Sequence, residues 1–367
     1  MINTFLFYLI INILVLFLMK IGQNTKNNKL NNNVYKISII ISAIILIILI
    51  GFRGYYVGID TSTYADANER ILNDNLSESD EKWLGIGYIY LIKFIGFFVG
   101  NNYVIINCAI AAITIYFLYR SIYENSNNKI FTMFIFMAMC LHYQMLNQSR
   151  QMLAIVMIMY SYKYIREKNI WKYMGIIILT SLIHNSAIIM IPIYFIVQFK
   201  FNKKLFCLYI IASLVMIIFS NQIIDILRLT SYGEIYLSSL VNYIETSTYF
   251  NLLVRFIMLV FALIFSKKCI SNNKDNSILY NMIFICFICQ IMATQIYIFS
   301  RVTTYFFVFY VFLIPEILNI FKNKRKKYKM LTLCVILALL AYHGVYYTVT
   351  SKKSGYAEYE MFFIADK

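Results

Sequence analysis

The sequence predicts an all-α polytopic membrane protein of about ten transmembrane helices, with a short outer-face helix and a re-entrant or broken helix around His184. Three observations lead there. Of 367 residues, 61% are hydrophobic and only 14% charged, which is more apolar surface than a soluble domain of this size can bury. The apolar residues run in blocks rather than alternating with polar ones, and a helix needs about 20 such residues to cross a hydrocarbon core of roughly 30 Å. The Lys and Arg residues, which give a formal charge of +16, fall in short clusters between the blocks. Clusters flanked by spans are the expected orientation signal, so they point to cytoplasmic loops or anionic lipid and away from nucleic acid.

Taken in order, the crossings are predicted at residues 4–20, 37–52, 103–119, 130–146, 150–165, 205–220, 251–266, 277–299, 301–321 and 330–347. The first is read as a span, because no basic n-region or small-residue cleavage site marks it as a signal peptide. Two segments fit less neatly. Tyr88 to Val99 is too short to cross, and Trp171 to Phe199 is long but interrupted by His184-Asn185-Ser186 and Pro192. Putting the basic stretches at 20–36, 166–172, 200–204, 267–274 and 322–329 on the cytoplasmic side requires that neither segment crosses. The first then becomes a short outer-face helix and the second a helical hairpin with His184 at its tip. Arms of about 13 residues reach roughly 20 Å at 1.5 Å per residue, and a non-helical tip at that depth requires a surrounding of protein or a water-filled cavity. The same assignment places outer-face loops at about 53–87 and 221–250, and puts Asn147 to Arg150, Ser300-Arg301 and the C-terminal tail on that face. With no internal repeat, no low-complexity tract and only two prolines, residues 1–367 read as a single integral membrane domain.

Four polar constellations interrupt this apolar background. Arg53-Gly54-Tyr55-Tyr56-Val57-Gly58-Ile59-Asp60-Thr61-Ser62-Thr63-Tyr64 combines a cation, a carboxylate, two glycines and aromatic hydroxyls, groups that stack on a sugar and hydrogen-bond it. The bland alternative is an interfacial anchor with an aromatic belt. Asn147-Gln148-Ser149-Arg150-Gln151 forms a polar knot, expected as a tight outer turn, in which Arg150 either snorkels or grips a phosphate with its planar fork of donors. His184, with Asn185, Ser186 and Ala187, stands in an apolar stretch where an ionisable group is costly and usually faces a cavity. Arg301 opens an apolar helix ahead of Thr303, Thr304 and Tyr305, as a helix-end anchor or a second anion clamp. Arg255 is a weaker candidate, and His142 and His343 read as packing residues.

Other chemistries lack support. The seven cysteines lie in or beside apolar runs and read as small core residues. Cys286-x-x-Cys289 has no second pair, so it is a weak metal or redox signal. No carboxylate cluster suggests a metal site, and neither a D-x-D nor a phosphate-binding G-K-[ST] occurs. No metal or other cofactor is therefore expected, and the phosphate to be recognised would be on a lipid.

These motifs, in this order, resemble the EpsG branch of the Wzy-type polysaccharide polymerases. The resemblance runs from about Arg53 to the C-terminus. It is carried by Arg53, Gly54, Gly58, Asp60, Thr61 and Tyr64, then Gly87-Tyr88, then Gln148, Arg150, Gln151 and Ala154, then His184, Ser186 and Ala187, and finally Arg301 before Tyr305 and Phe306. One position departs: family members often carry an acid two residues before the Gly-aromatic pair, where this chain has Gly85.

The resemblance implies a glycosyltransferase of a bacterial cytoplasmic membrane that polymerises undecaprenyl-diphosphate-linked repeat units of a capsule, exopolysaccharide or O-antigen at the outer face. It implies Asp60, His184 and Arg150 as catalytic residues, and Arg53, Tyr64, Gln148, Arg301 and Tyr305 as substrate contacts; the topology above predicts that Arg53, Asp60, Arg150, His184 and Arg301 border one cavity open to the outer face. Membrane lipids, a chain-length regulator and a flippase of the same pathway are the partners it suggests. Rival readings are a polysaccharide ligase that shares the donor, a membrane acyltransferase centred on His184, and a flippase or exporter. The last is disfavoured by the lack of a repeat and by polar groups gathered at one face.

Overall fold

A computed structural model describes residues 2–25, 32–229, 246–296 and 298–362. It is an all-α polytopic membrane protein. Among the described residues, the only β pairing is a single antiparallel bridge between Arg53 and Met361. The predicted outer loop at 221–250 falls largely outside the described residues.

Backbone contacts divide the chain into two compact units, each drawn from separated stretches. The first comprises residues 1–161, 178–185 and 334–367. It opens with two long apolar helices, α1 (Ile2–Thr25) and α2 (Asn32–Gly51), which pack on each other. A polar excursion follows: α3 (Ile59–Leu72), α4 (Glu78–Leu84) and α5 (Ile86–Val99). Helix α4 starts at a capping box, in which the Ser77 hydroxyl accepts from the Asp80 amide at 3.1 Å and the Asp80 carboxylate accepts from the Ser77 amide at 3.2 Å. That exchange satisfies two donors that a helix start otherwise leaves orphaned. Helix α5 leaves α4 at 95°, and its 14 residues amount to about 21 Å. By itself it is shorter than a hydrocarbon core of roughly 30 Å.

Next come α6 (Tyr103–Asn125), α7 (Lys129–Ala138), α8 (Leu141–Asn147) and α9 (Ser149–Arg166). Asn102 and Asn128 cap α6 and α7 through their side-chain oxygens. The crossing predicted at 130–146 is bent by 58° between α7 and α8, where Cys140 takes the left-handed conformation at φ 60°. Beneath the bend, His142 and His343 are buried and partnered. Asn12 meets His142 Nε2 at 3.3 Å, and Tyr143 meets His343 Nε2 at 3.0 Å. This agrees with reading both histidines as packing residues.

Helix α9 covers the predicted crossing at 150–165 but differs in character from a simple span. It carries Arg150, Lys163 and Arg166, and its residues from Arg150 to Met159 are all buried. Among the described residues, seven helices are long and apolar enough to span by themselves, or up to ten if each bent pair counts as one span, and α9, with its three charges, is not among them.

Helix α10 (Ile170–Ile183) then ends at His184, a 3₁₀ turn takes Asn185–Ile189, and α11 (Met190–Ile196) follows. The break at His184 is the predicted one. The flanking arms lie side by side: the Tyr173 hydroxyl donates to the Met190 carbonyl at 2.7 Å, and the rings of Tyr173 and Tyr194 are 5.1 Å apart.

The second unit comprises residues 162–177 and 186–333. Beyond the arms of this hairpin it holds α12 (Lys203–Ile218), α13 (Ser220–Arg228), α14 (Thr246–Asn272), α15 (Asn276–Ala293), α16 (Ile298–Phe307) and α17 (Tyr310–Asn319). The crossing predicted at 205–220 is bent by 71° between α12 and α13. Helix α15 packs on α12, α14, α16 and α17, and 83% of its span is buried, against 22% for α14. The apolar faces of α14, such as Leu253, Ile257 and Ile264, are therefore the ones left for lipid. Helix α18 (Arg325–Thr350) begins in this unit and ends in the first.

Candidate functional site

In the first unit, distant motifs converge on the loop after α2. Gly58 sits at φ 85°, a conformation that side chains with a Cβ resist. A Cβ there would lie 2.1 Å from the Leu146 carbonyl oxygen. That close approach lets the end of α8 dock on the start of α3. The Asp60 amide donates to Asn147 Oδ1 at 2.9 Å, and the Thr61 hydroxyl donates to the Leu146 carbonyl at 3.3 Å. A segment from the C-terminal tail covers the other side: the Gly54 amide donates to the Glu360 carbonyl and the Gly58 amide to the Gly355 carbonyl, both at 2.8 Å.

Arg53 is 1% exposed. Its Nε donates to Thr61 Oγ1 at 3.0 Å and its Nη1 to the Ile50 carbonyl, while Nη2 is buried without a hydrogen-bond partner. A cavity of about 10 Å³ beside it, lined by Asn107, Thr114 and Ser149, has room for roughly one water molecule. The guanidinium thus ties α2 to the start of α3. In the same loop the Tyr55 hydroxyl donates to Asp66, which pushes it up to about 12. Asp60 lies half-buried in the first turn of α3, where the helix end favours a carboxylate.

The sequence predicts a tight outer turn at Asn147–Gln151, and in the structure the connection is a single residue. Only Gln148, half-buried, separates α8 from α9. Arg150, in the first turn of α9, is 3% exposed and enclosed by three rings: Trp83 at 5.0 Å, Tyr88 at 5.6 Å and Tyr64 at 5.9 Å from the guanidinium carbon. Its Nη1 donates to the carbonyls of Trp83, at 2.8 Å, and Leu84. These are the last carbonyls of α4, which have no partner within that helix. Tyr64 and Trp83 stack at 5.7 Å and 12°, and Tyr88 donates to Asn68 at 3.2 Å. The physical reason for the enclosure is that a planar cation is stabilised by ring faces and a helix C-terminus together.

The same corner explains Gly85. It stands between α4 and α5 at φ 80°, and a Cβ there would come 2.8 Å from Asn185 Oδ1 and 3.1 Å from the Leu182 carbonyl. Asn185 Nδ2 donates to the Lys82 carbonyl at 3.3 Å. The turn that carries His184, itself 3% exposed, therefore packs directly against the α4–α5 corner, leaving no space for an acidic side chain at position 85. Glu81, the nearest upstream carboxylate, is exposed.

Arg53, Asp60, Tyr64, Gln148, Arg150 and His184 all belong to this unit. Arg301 and Tyr305 belong to the second, on α16. There Arg301 is half-buried, and Tyr305 is fully buried with its hydroxyl 3.0 Å from that of Ser186. Arg255 is buried, donates to the Asn251 carbonyl at 3.3 Å and lies 4.4 Å from the Phe307 ring centre. Among the described residues, no three His, Cys, Asp or Glu side chains gather closely enough to hold a metal ion.

Trp83, Tyr88 and Asn68 are the members of this cluster that the sequence reading left out of its site. Only Tyr88 carried a signal, as the aromatic after Gly87. No curated protein and no solved structure matches the chain. A family model described as the EpsG family does match, over residues 36–361. That range takes in every motif assembled above and nearly the whole sequence, so the chain belongs to the EpsG family, whose role is of the polysaccharide polymerase type.

Proposed function

We propose that this protein is a glycosyltransferase that joins undecaprenyl-diphosphate-linked oligosaccharide repeat units into a surface polysaccharide, at the outer face of a bacterial cytoplasmic membrane. The observation that carries the proposal is the interlocking of the family's motifs in one unit: the loop at 53–64, the corner at 85–88, the helix start at 148–151 and the turn at His184. Separate structural roles would not require residues so far apart in sequence to share one cluster.

In the reaction, an acceptor sugar hydroxyl attacks the anomeric carbon of the donor. The new carbon–oxygen bond forms as the bond from that carbon to the diphosphate breaks, and the lipid diphosphate leaves with the electron pair. The hydroxyl proton passes to a base. Asp60 suits this role through its half-buried carboxylate, and His184 is the alternative; such a base typically contributes about 10² to 10⁴ in rate. Arg150 supplies fixed positive charge against the developing anion, and a preorganised cation needs no rearrangement at the moment of reaction. Burial of Arg150 also gives it a positioning role, because it holds α4 and the ring of Tyr64 in place. Tyr64 and Gln148 are proposed to contact the saccharide, while Arg53 holds the loop that presents Asp60.

Deletion of the gene, followed by analysis of lipid-linked saccharides, tests the proposal. Single repeat units on undecaprenyl diphosphate should accumulate while polymer disappears. Polymer of normal length in the deletion strain would overturn it.

A further inference from the structure

The second unit contains a large basic cavity unrelated to the residues discussed so far. It is formed by the end of α14, the start of α15, the start of α12 and the connections at 166–170 and 197–203, and measures about 1030 Å³. That is the size of a pocket that holds a small ligand. Its frame is fixed by hydrogen bonds. The Phe201 amide donates to Ser277 Oγ at 2.6 Å, Asn281 Nδ2 donates to the carbonyls of Val197 at 3.1 Å and Phe199 at 2.8 Å, and Asn202 caps α12 by accepting from the Leu205 amide at 3.0 Å.

Five lysines line it, Lys168, Lys200, Lys203, Lys267 and Lys274, with Asp275 as the one carboxylate. None of the five forms an ion pair among the described residues. Five like charges against one carboxylate leave a net positive lining, so the site favours an anion. Apolar side chains, among them Phe206, Leu263 and Ile270, line it alongside uncharged polar ones such as Gln198 and Ser266. The apolar ones lead onto the exposed apolar faces of α12 and α14 at Leu208 and Ile264. A soluble phosphate would gain nothing from such a wall, whereas an acyl chain would.

We infer that this cavity binds the phosphate headgroup of an anionic glycerophospholipid, its acyl chains running along α12 and α14. The lysines come from three separate connections that the charge pattern assigns to the cytoplasmic side, where basic pockets between transmembrane helices meet acidic headgroups. The inference is independent of the glycosyl-transfer site, which uses other residues.

The test is retention of lipid by the full-length chain, purified from an equimolar mixture of phosphatidylglycerol and phosphatidylcholine and read by native mass spectrometry. The wild type should retain phosphatidylglycerol at least tenfold over phosphatidylcholine. The variant K200Q/K203Q/K267Q/K274Q should lose that preference, while K324Q/K326Q/K327Q/K329Q, in the basic run after α17, should keep it. Leu263→Trp keeps every charge but fills the apolar wall, and should lower retention several-fold even if the lysine variant folds poorly. Equal retention of both lipids by the wild type, or equal loss in the two lysine variants, would overturn the inference. So would displacement of the bound lipid by inorganic phosphate alone, which would assign the lysines to a soluble anion.

Discussion

Arg150 joins three elements that are separate in sequence. It meets α3 through Tyr64, α4 through Trp83 and its terminal carbonyls, and α5 through Tyr88. A lysine would keep the charge but could not lie flat among three rings while donating to two carbonyls. Arg150→Lys should therefore reduce polymer formation at least tenfold, and Arg150→Ala further, at equal membrane abundance. Near-normal polymer from the lysine variant would reduce Arg150 to a simple anchor. The sequence marked Arg150 because a charge in apolar surroundings is costly, and Tyr64 as an aromatic hydroxyl of the loop at 53–64. It could not mark Trp83 as the opposite wall, because an aromatic in a polar stretch has no such cost. Nor could it distinguish an Arg53 that faces a sugar from one turned inward onto Thr61 and Ile50, since both follow a span and precede the same loop.

Among elements, the long apolar helices were legible because hydropathy alone determines them. The breaks within them were legible only where polar residues interrupt the run. His184-Asn185-Ser186 announced the gap between α10 and α11, whereas the bend at Cys140 falls inside an apolar stretch and depends on a left-handed residue that composition does not reveal. The polar pair α3 and α4 is joined by Arg70, whose Nε and Nη2 donate to the two oxygens of Asp80 at 3.1 and 2.9 Å. That donation, opposed by burial and aided by Ser77, holds the Asp80 carboxyl below the usual range. The ionised form is the one favoured by folding, so the contribution is complete above an ordinary Asp pKa of about 3.9 and fades as pH falls through the lower folded value. Arg70 is partly exposed and the pair is screened, so Asp80→Asn should loosen α4 by no more than about 1 kcal/mol. Hydrogen exchange over residues 73–84 should be faster in the variant at pH 7, and the difference should close as the wild type is taken below pH 4. Identical exchange at neutral pH would mean that the clamp contributes nothing.

For the whole molecule, the ordered series of motifs made the family legible in the sequence, even though each motif is short. The division into two units was not legible, because each is built from stretches that sequence order separates. Among the described residues, no group of carboxylates or histidines offers a cage for a hard cation, so polymer formation in washed membranes should withstand EDTA. Activity abolished by the chelator and restored by Mg²⁺ or Mn²⁺ would refute that. The tail segment that covers the loop at 53–58 also has a bearing on biogenesis. Gly54 and Gly58 await partners at Glu360 and Gly355, which the ribosome reaches some three hundred codons later. At about 5–20 residues per second, the loop emerges tens of seconds before its cover exists. During translation, the half-made protein therefore presents these unmet backbone amides to its surroundings, and the cluster around Asp60 is completed only after α18 has been inserted.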